Sequence, residues 1–258
     1  MLSASSIPAG PNIGYYQRTA GSYDEWHVQT GDEHFVALKY VSSLMRELAA
    51  RSVLDVGCGT GRVLSYLSSK DPSLELVGIE PEESLRRIAV ERNGLPSSSI
   101  RTGNGARLPF PDQSFDVVCE FAVLHHVQPS QTRRVVGEML RTARKAVVLS
   151  DENRFAYGSL SLRLLKLALW RLGLFPAFYW VKTGGKGYRY SEEDGVAYSF
   201  SVFDALPQIS EWADRVIMVP LDRSKRDPVY QVPASSIFQP LLTSFHLMLI
   251  GVRDLEDL

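Results

Sequence analysis

The chain has 258 residues, 45% hydrophobic and 22% charged, with a formal net charge of −1. That composition excludes a disordered, collagenous or coiled-coil chain, and the near-neutral balance excludes a molecule built as a whole to coat nucleic acid. The two cysteines, Cys58 and Cys119, lack CxxC or Cys/His spacing, which argues against a disulfide framework or a zinc site and suits a reduced, cytoplasmic setting. No stretch of 18 apolar residues predicts a membrane-spanning helix. The N-terminal MLSASSIPAGPNIGYY does not read as a signal peptide.

In chain order, residues 1–14 read as a loose arm. Residues 33–50 carry Phe35, Leu38, Val41, Leu44, Met45 and Leu48 at helical spacing. A short β run, SVLDV at 52–56, ends in glycines, and helical spacing resumes over 61–69. A strand at 74–79 is followed by a helix at 81–93, with Pro81 at its start and Gly94 past its end. Short strands at 100–102 and 115–121, a helix at 131–143 and a strand at 146–150 continue the alternation. This pitch implies βαβ units and a parallel sheet. Residues 153–191 break it: they contain seven Lys/Arg, nine aromatics and no Asp or Glu. A helix at 202–213, a strand at 215–221, a Pro-bearing loop at 222–244 and a strand at 245–252 follow. The predicted organisation is an N-terminal arm and lid helix (1–32), a core (33–152), a cap insertion (153–200) and a C-terminal part of the core sheet (201–258).

The decisive stretch is VLDVGCGTGRVL at 53–64. A hydrophobic strand runs into Gly57-Cys58-Gly59-Thr60-Gly61 and then a helix. Glycines remove Cβ atoms, so the backbone turns sharply and approaches a nucleotide-type ligand. A dinucleotide loop requires GxGxxG, and its third glycine is replaced here by Arg62. GxGxG suits a cofactor without a pyrophosphate, so a nucleotide-dependent oxidoreductase is the weaker alternative. Arg62 itself reads as a solvated helix residue.

With this loop the sequence resembles the class I S-adenosylmethionine-dependent methyltransferases, of the small-molecule and quinone-biosynthesis type. The resemblance is good over about residues 15–150 and holds in outline over 200–253. It implies a Rossmann-like α/β fold, a seven-stranded, mostly parallel sheet whose last strand is antiparallel, with S-adenosylmethionine as cofactor and S-adenosylhomocysteine as product. It implies that Glu80, ending the second strand beside Pro81, accepts hydrogen bonds from both ribose hydroxyls. Asn104, next to Gly105, stands where many members carry an Asp that contacts the adenine amino group, and Asn keeps a carbonyl acceptor. The LPF stretch leads into a strand whose end, Glu120 and Phe121, lies beside the methionine part. Asp55 either holds the glycine loop through its amides or lies near the methionine amine. Tyr15, Arg18 and Tyr23 resemble the lid-helix groups that reach the cofactor carboxylate; the alternative is that the tyrosines only pack on the core.

Methyl transfer from a sulfonium has a neutral leaving group, so positioning supplies most of the effect, and an oxygen nucleophile adds the need for a base. Of the five histidines, His125 and His126 follow the fourth strand, at the carboxyl edge where open α/β sheets bind ligands. One of the pair is expected to face the site and the other the core. His125 is the candidate base and His126 reads as a satisfied structural residue, while His27 and His34 near the lid are weaker candidates. No spacing suggests a metal. The segment 159–173 predicts a helix with Ser159, Arg163 and Lys166 on one face and leucines over the rest. It reads as a lid with its basic groups in water, as a cap over an apolar or anionic small molecule, or as a surface that touches lipid; single-stranded RNA is disfavoured. The expectation is a methyltransferase acting on a small organic acceptor, with O-methylation slightly ahead of C- or N-methylation. The other alternative is a non-catalytic module that binds the cofactor. The oligomeric state is open.

Overall fold

The computed structural model describes residues 13–27, 32–192, 194–221 and 244–253. The expected arm at 1–14 and loop at 222–244 therefore lie almost wholly outside the described residues. Two short helices, α1 (Ile13–Thr19) and α2 (Tyr23–His27), precede α3 (Glu33–Glu47). Then β1 (Ser52–Val56), α4 (Arg62–Lys70), β2 (Glu75–Glu80), α5 (Glu83–Glu91), β3 (Ile100–Thr102), β4 (Phe115–Phe121), α6 (Pro129–Thr142) and β5 (Ala143–Glu152) alternate. The chain continues through α7 (Leu160–Arg171), α8 (Phe175–Lys182), a hairpin of β6 (Tyr188–Ser191) and β7 (Gly195–Tyr198), α9 (Leu206–Trp212), β8 (Arg215–Pro220) and β9 (His246–Val252).

Seven strands form one sheet in the order β3-β2-β1-β4-β5-β9-β8. The first five are parallel, and β9 runs antiparallel to β5 and to β8. The strand order reverses between β1 and β4. At such a switch point the connections leave in opposite directions and open a crevice outside the carboxyl ends of the strands. In β1 all five residues are buried, as expected of a strand covered on both faces. Its alternation divides them: Leu54 and Val56 join a core built with Val135, Val136 and Met139 of α6 and Ile209 of α9, while Val53 packs with Leu38, Val41 and Met45 of α3 and Leu67 of α4. Burying each such aliphatic side chain contributes about 1.5–3 kcal/mol, so this sandwich holds the strand ends, and the loops that follow them, in fixed positions.

Several boundaries differ from the sequence expectation. The helix expected to reach residue 50 stops at Glu47, because Ala49 takes a left-handed backbone (φ 45°) and turns the chain into β1. The sixth helix begins earlier than expected, with Pro129 in its first turn, where a missing N–H costs nothing. The strand expected at 146–150 runs from Ala143 to Glu152, because it pairs with both β4 and β9. Neither α8 nor the β6–β7 hairpin was expected. The basic face expected on α7 is also corrected. Lys166 is buried, and its ammonium donates to the carbonyls of Arg154 and Tyr157, both at 2.7 Å; burial and the neighbouring cations lower its pKa to about 8. Ser159 caps the helix, accepting from the Leu162 amide.

Candidate active site

The glycine loop is shaped by backbone that other residues resist. Gly57 has φ +80°, and a Cβ there would lie 2.6 Å from Val123 Cγ2. Gly59, at φ +52°, differs: the nearest atom to its missing Cβ is Cε1 of Tyr23, at 3.9 Å. One glycine is required by packing, and the other leaves an open cradle. The loop is tied to β2. The Gly57 and Cys58 amides both donate to the Ile79 carbonyl (2.7 and 3.1 Å), the Gly59 amide donates to Glu80 Oε2 (3.0 Å), and the Glu82 amide donates to Glu80 Oε1 (2.9 Å). Burial pushes the Glu80 carboxyl up to about 7, the two amides opposing it. Asp55 lies fully buried on β1, with Oδ1 3.9 Å from Cys119 Sγ and no partner on Oδ2. Burial, then the Glu80 charge, pushes it up to about 8.

A cavity of about 280 Å³ opens at the carboxyl ends of β1 and β4. Of the residues singled out in the sequence, Tyr23, Asp55, Gly57, Cys58, Gly59, Phe121 and His126 line it together. α2 is tied to the loop because the Thr60 hydroxyl donates to Asp24 Oδ1 (2.5 Å), and Asn93 Nδ2 donates to Asp24 Oδ2 and to the Thr60 carbonyl. Other expected residues stand off the lining. Tyr15 is buried with its ring edge on Tyr16, and Arg18 is exposed, its guanidinium near Gly14 of the same helix. Glu80, Pro81 and Gly61 are outside the lining: Glu80 is buried, Pro81 is exposed, and Gly61 (φ +81°) faces Leu95. Asn104 Oδ1 accepts from the Ala106 amide (3.0 Å), and Gly105 fits between Val56 and Val135, whose methyls a Cβ would meet at 2.9 and 2.8 Å. The turn holding both is flanked by Gly103 and Arg107, which line a second hollow of about 560 Å³. Glu120 is fully buried: Oε2 accepts from the Val123 amide (3.0 Å), Oε1 has no partner, and burial, with Asp151 nearby, drives it well above the usual carboxylate range. Arg62 is not a solvated residue. It lines the cavity, and its guanidinium donates to Asp32 Oδ1 at 2.6 Å.

The histidine pair divides as expected, but with the roles exchanged. His125 is the core member: its Nδ1 lies 2.7 Å from Asp151 Oδ1, its backbone amide donates to Asp151 Oδ2, and its Nε2 faces Asp194 Oδ2 at 3.6 Å. Burial alone would lower its pKa, but Asp151 and Asp194 outweigh that and hold it well above the ordinary value. A buried imidazolium clamped between two carboxylates is a poor proton acceptor. His126 lines the cavity, its Nδ1 2.9 Å from the Val196 carbonyl and its Nε2 3.3 Å from Asp194 Oδ1. A carbonyl only accepts, so Nδ1 carries the proton.

Sequence reasoning missed Asp194, Asp151 and Tyr16, whose ring stands edge-on to both His126 and Tyr23. Asp151 carried a usable signal, an acid near the carboxyl end of a buried strand. Asp194, in the β6–β7 turn, carried none. His34 also lines the cavity, near Glu33 and His246. Burial, then His246, lowers the His34 pKa to about 4, and its Nδ1 has no partner. Glu33–His34–His246 and His125–His126–Asp194 each bring three ligand-type side chains together. The spacing argument against a metal therefore does not carry over to the fold.

Residues 53–146 match the family model of a methyltransferase domain. The chain is 36% identical over 100 residues to an uncharacterized methyltransferase of Schizosaccharomyces pombe, covering 35% of this chain and 34% of that protein. It is 34% identical over 116 residues to a probable S-adenosylmethionine-dependent methyltransferase of Mycolicibacterium smegmatis, covering 44% and 43%. Those matches span between a third and a half of the relatives' own lengths. Among solved structures, a Thermotoga maritima S-adenosylmethionine-dependent methyltransferase, titled a possible histamine N-methyltransferase, shares the fold with a TM-score of 0.57 at 18% identity, over 93% of this chain and 99% of that one. Residues 53–146, from β1 into β5, thus form a methyltransferase domain, and the fold is that of S-adenosylmethionine-dependent methyltransferases.

Proposed function

We propose that the protein transfers the methyl group of S-adenosylmethionine to a hydroxyl of a small organic acceptor, using the His126–Asp194 pair as the base. One observation carries this reading: the same cavity is lined both by the glycine cradle and by an imidazole–carboxylate pair. The residues fit the cofactor. Gly59 offers a cradle that a side chain would fill, Asp55 holds a buried oxygen without a partner, and Glu80 keeps a second lone pair on each carboxylate oxygen. When bound, the cofactor supplies an electrophilic methyl on a sulfonium whose leaving group is a neutral thioether.

In this reading Glu80 accepts from the ribose hydroxyls, and those donors favour its charged form against burial. Gly57, Cys58 and Gly59 present backbone to the ligand. Asp55, Tyr23 and Phe121 border its amino acid part, and the Asn104–Gly105 turn borders the adenine. Tyr15, Arg18, Pro81, Gly61 and Glu120 support these groups from outside the lining. Residues 1–32 serve as a lid and 153–200 as a cap that brings Asp194 to the cavity, with 33–152 and 201–258 as the core. Once the neutral form of His126 frees Nε2 from Asp194 Oδ1, an acceptor hydroxyl donates to Nε2 and gives it the proton as the new O–CH₃ bond forms. Asp194 balances the imidazolium that results. His125, already charged and clamped by Asp151, orients Asp194 through its charge. Two buried free cysteines accord with a reduced, cytoplasmic setting.

The test pairs calorimetry of S-adenosylhomocysteine binding with turnover of labelled S-adenosylmethionine against a panel of hydroxyl acceptors. Asp194→Asn should keep product affinity and lower turnover by about 10²–10⁴-fold. Failure to bind S-adenosylhomocysteine at saturating concentration would sink the reading. An unchanged rate in Asp194→Asn would remove the base and leave positioning alone.

A further inference from the structure

We propose that the α7–α8 helix pair is a docking surface for a membrane that carries anionic lipid. The inference does not rest on the methyl-transfer reading, because it concerns the outer face of these helices and not the cavity. On α7, Leu164, Leu165, Ala168 and Leu172 recur at helical spacing on one exposed stripe, with Leu160 at its start. Leu160 is 66% and Leu172 70% exposed, and Trp180 and Val181 of α8 are 57% and 70% exposed. Isolated exposed leucines are ordinary, but two adjoining helices that share an outward apolar face mark a binding surface.

Charge names the partner. Residues 153–191 carry seven Lys/Arg and no Asp or Glu, in a chain whose net charge is −1. Two of the seven are spent inside: Arg154 pairs with Asp204, and Lys166 is held by two carbonyls. Arg171, Lys182, Lys186 and Arg189, at the ends of α7 and α8 and in the segment that follows, are exposed. Exposed leucines with a tryptophan, on two helices that carry cations and no acids, complement acyl chains beneath anionic headgroups. A helix of 12 residues is too short to span a bilayer, and no helix of the described residues is long and apolar enough to cross one, so α7 lies in the interface plane. The pair is fixed to the core from below, because Trp170 Nε1 donates to Asp204 Oδ1 (2.9 Å) and Phe175 and Tyr179 are buried. Docking on this face would let the chain reach an acceptor dissolved in the membrane.

Flotation of the full chain with phosphatidylcholine vesicles, with and without phosphatidylglycerol, tests the proposal. The protein should float with the phosphatidylglycerol vesicles, stay behind with phosphatidylcholine alone, and be released by high salt. Lys182→Glu should weaken partitioning by about fivefold or more, a factor expected from one cation near an anionic surface. Leu164→Glu with Trp180→Glu should abolish it while circular dichroism and S-adenosylhomocysteine affinity stay at wild-type values. Absence of flotation, or equal flotation with both vesicles, would overturn the proposal. So would a dimer in gel filtration that Leu164→Glu dissolves, since a second copy would then cover the face.

Discussion

Two pairs of carboxylates at the cavity, Asp55 with Glu80 and Asp151 with Asp194, follow opposite electrostatic regimes. Asp55 and Glu80, at the ends of β1 and β2, lie in low dielectric beside each other, and burial pushes them up to about 8 and about 7. Asp151 and Asp194, at the β5 end and in the β6–β7 turn, face histidines that outweigh burial and hold both below the usual carboxylate range. The first pair is favoured protonated by the fold, so the stability it permits is full below about pH 4 and is lost as pH rises toward 7–8. The second is favoured charged, so its contribution is present above about pH 4 and lost in acid. His125, raised, contributes fully below its ordinary value and keeps contributing until pH passes its higher folded value. The β1–β2 side therefore awaits donors from outside the protein, whereas the histidine side has already supplied its own.

Breaking the internally neutralised side should have the largest effect. His125→Ala leaves Asp151 charged, buried and without its cation, and should destabilise the fold by about 3–5 kcal/mol. Denaturant melts at neutral pH check this, and a loss under 1 kcal/mol would mean that Asp151 takes up a proton and the two sides do not differ as described. The side awaiting donors should respond in binding. Glu80→Ala removes the acceptor of the Gly59 and Glu82 amides, and S-adenosylhomocysteine affinity measured by calorimetry should fall by about 2–3 kcal/mol. Unchanged affinity would count against Glu80 as the ribose acceptor.

Asp55→Asn sharpens the comparison through its pH dependence. Wild-type protein without ligand should lose stability between pH 5 and 8, because the unfolded chain releases the Asp55 proton that the fold retains, and Asn removes that titration. The variant's stability, followed by its thermal midpoint, should fall less over the same window, the difference amounting to about 3–4 kcal/mol at pH 8. Parallel curves for the two proteins would show that Asp55 finds a partner that lowers its pKa.

The β1–β2 side was largely legible in the sequence, and the histidine side was not. Asp55, the glycines and Glu80 announce themselves because a strand, a tight turn and the next strand leave local marks: alternation, then residues without Cβ, then an acid at a strand end. Asp151–His125 and Asp194–His126 are built by the crossing of β4, β5 and the β6–β7 turn, and no short-range pattern encodes which turn returns to the switch point. The same holds for His34 beside His246. The insertion misled for a different reason: beyond α7 its aromatics carry no single period, so α8 and the hairpin were invisible, and Lys166 looked solvated although two carbonyls hold it inside.

The smallest effect concerns Arg62, the one Lys or Arg among the residues that line the cavity. It stands with Asp55 on the same lining, but its guanidinium is committed to Asp32, which also caps α3 by accepting from the Phe35 amide at 2.7 Å. Asp32→Ala breaks both bonds at once. Loss of the cap should cost about 1 kcal/mol at every pH. The released guanidinium remains close enough to the cavity to favour a charged Asp55, so part of that cost should return at pH 8, where Asp55 ionises, and none at pH 5, where it is protonated. Thermal midpoints at the two pH values read the difference directly. A deficit equal at both would mean that Arg62 turns to solvent when released, and that the isolation of Asp55 is set by distance and not by competition for the nearest cation.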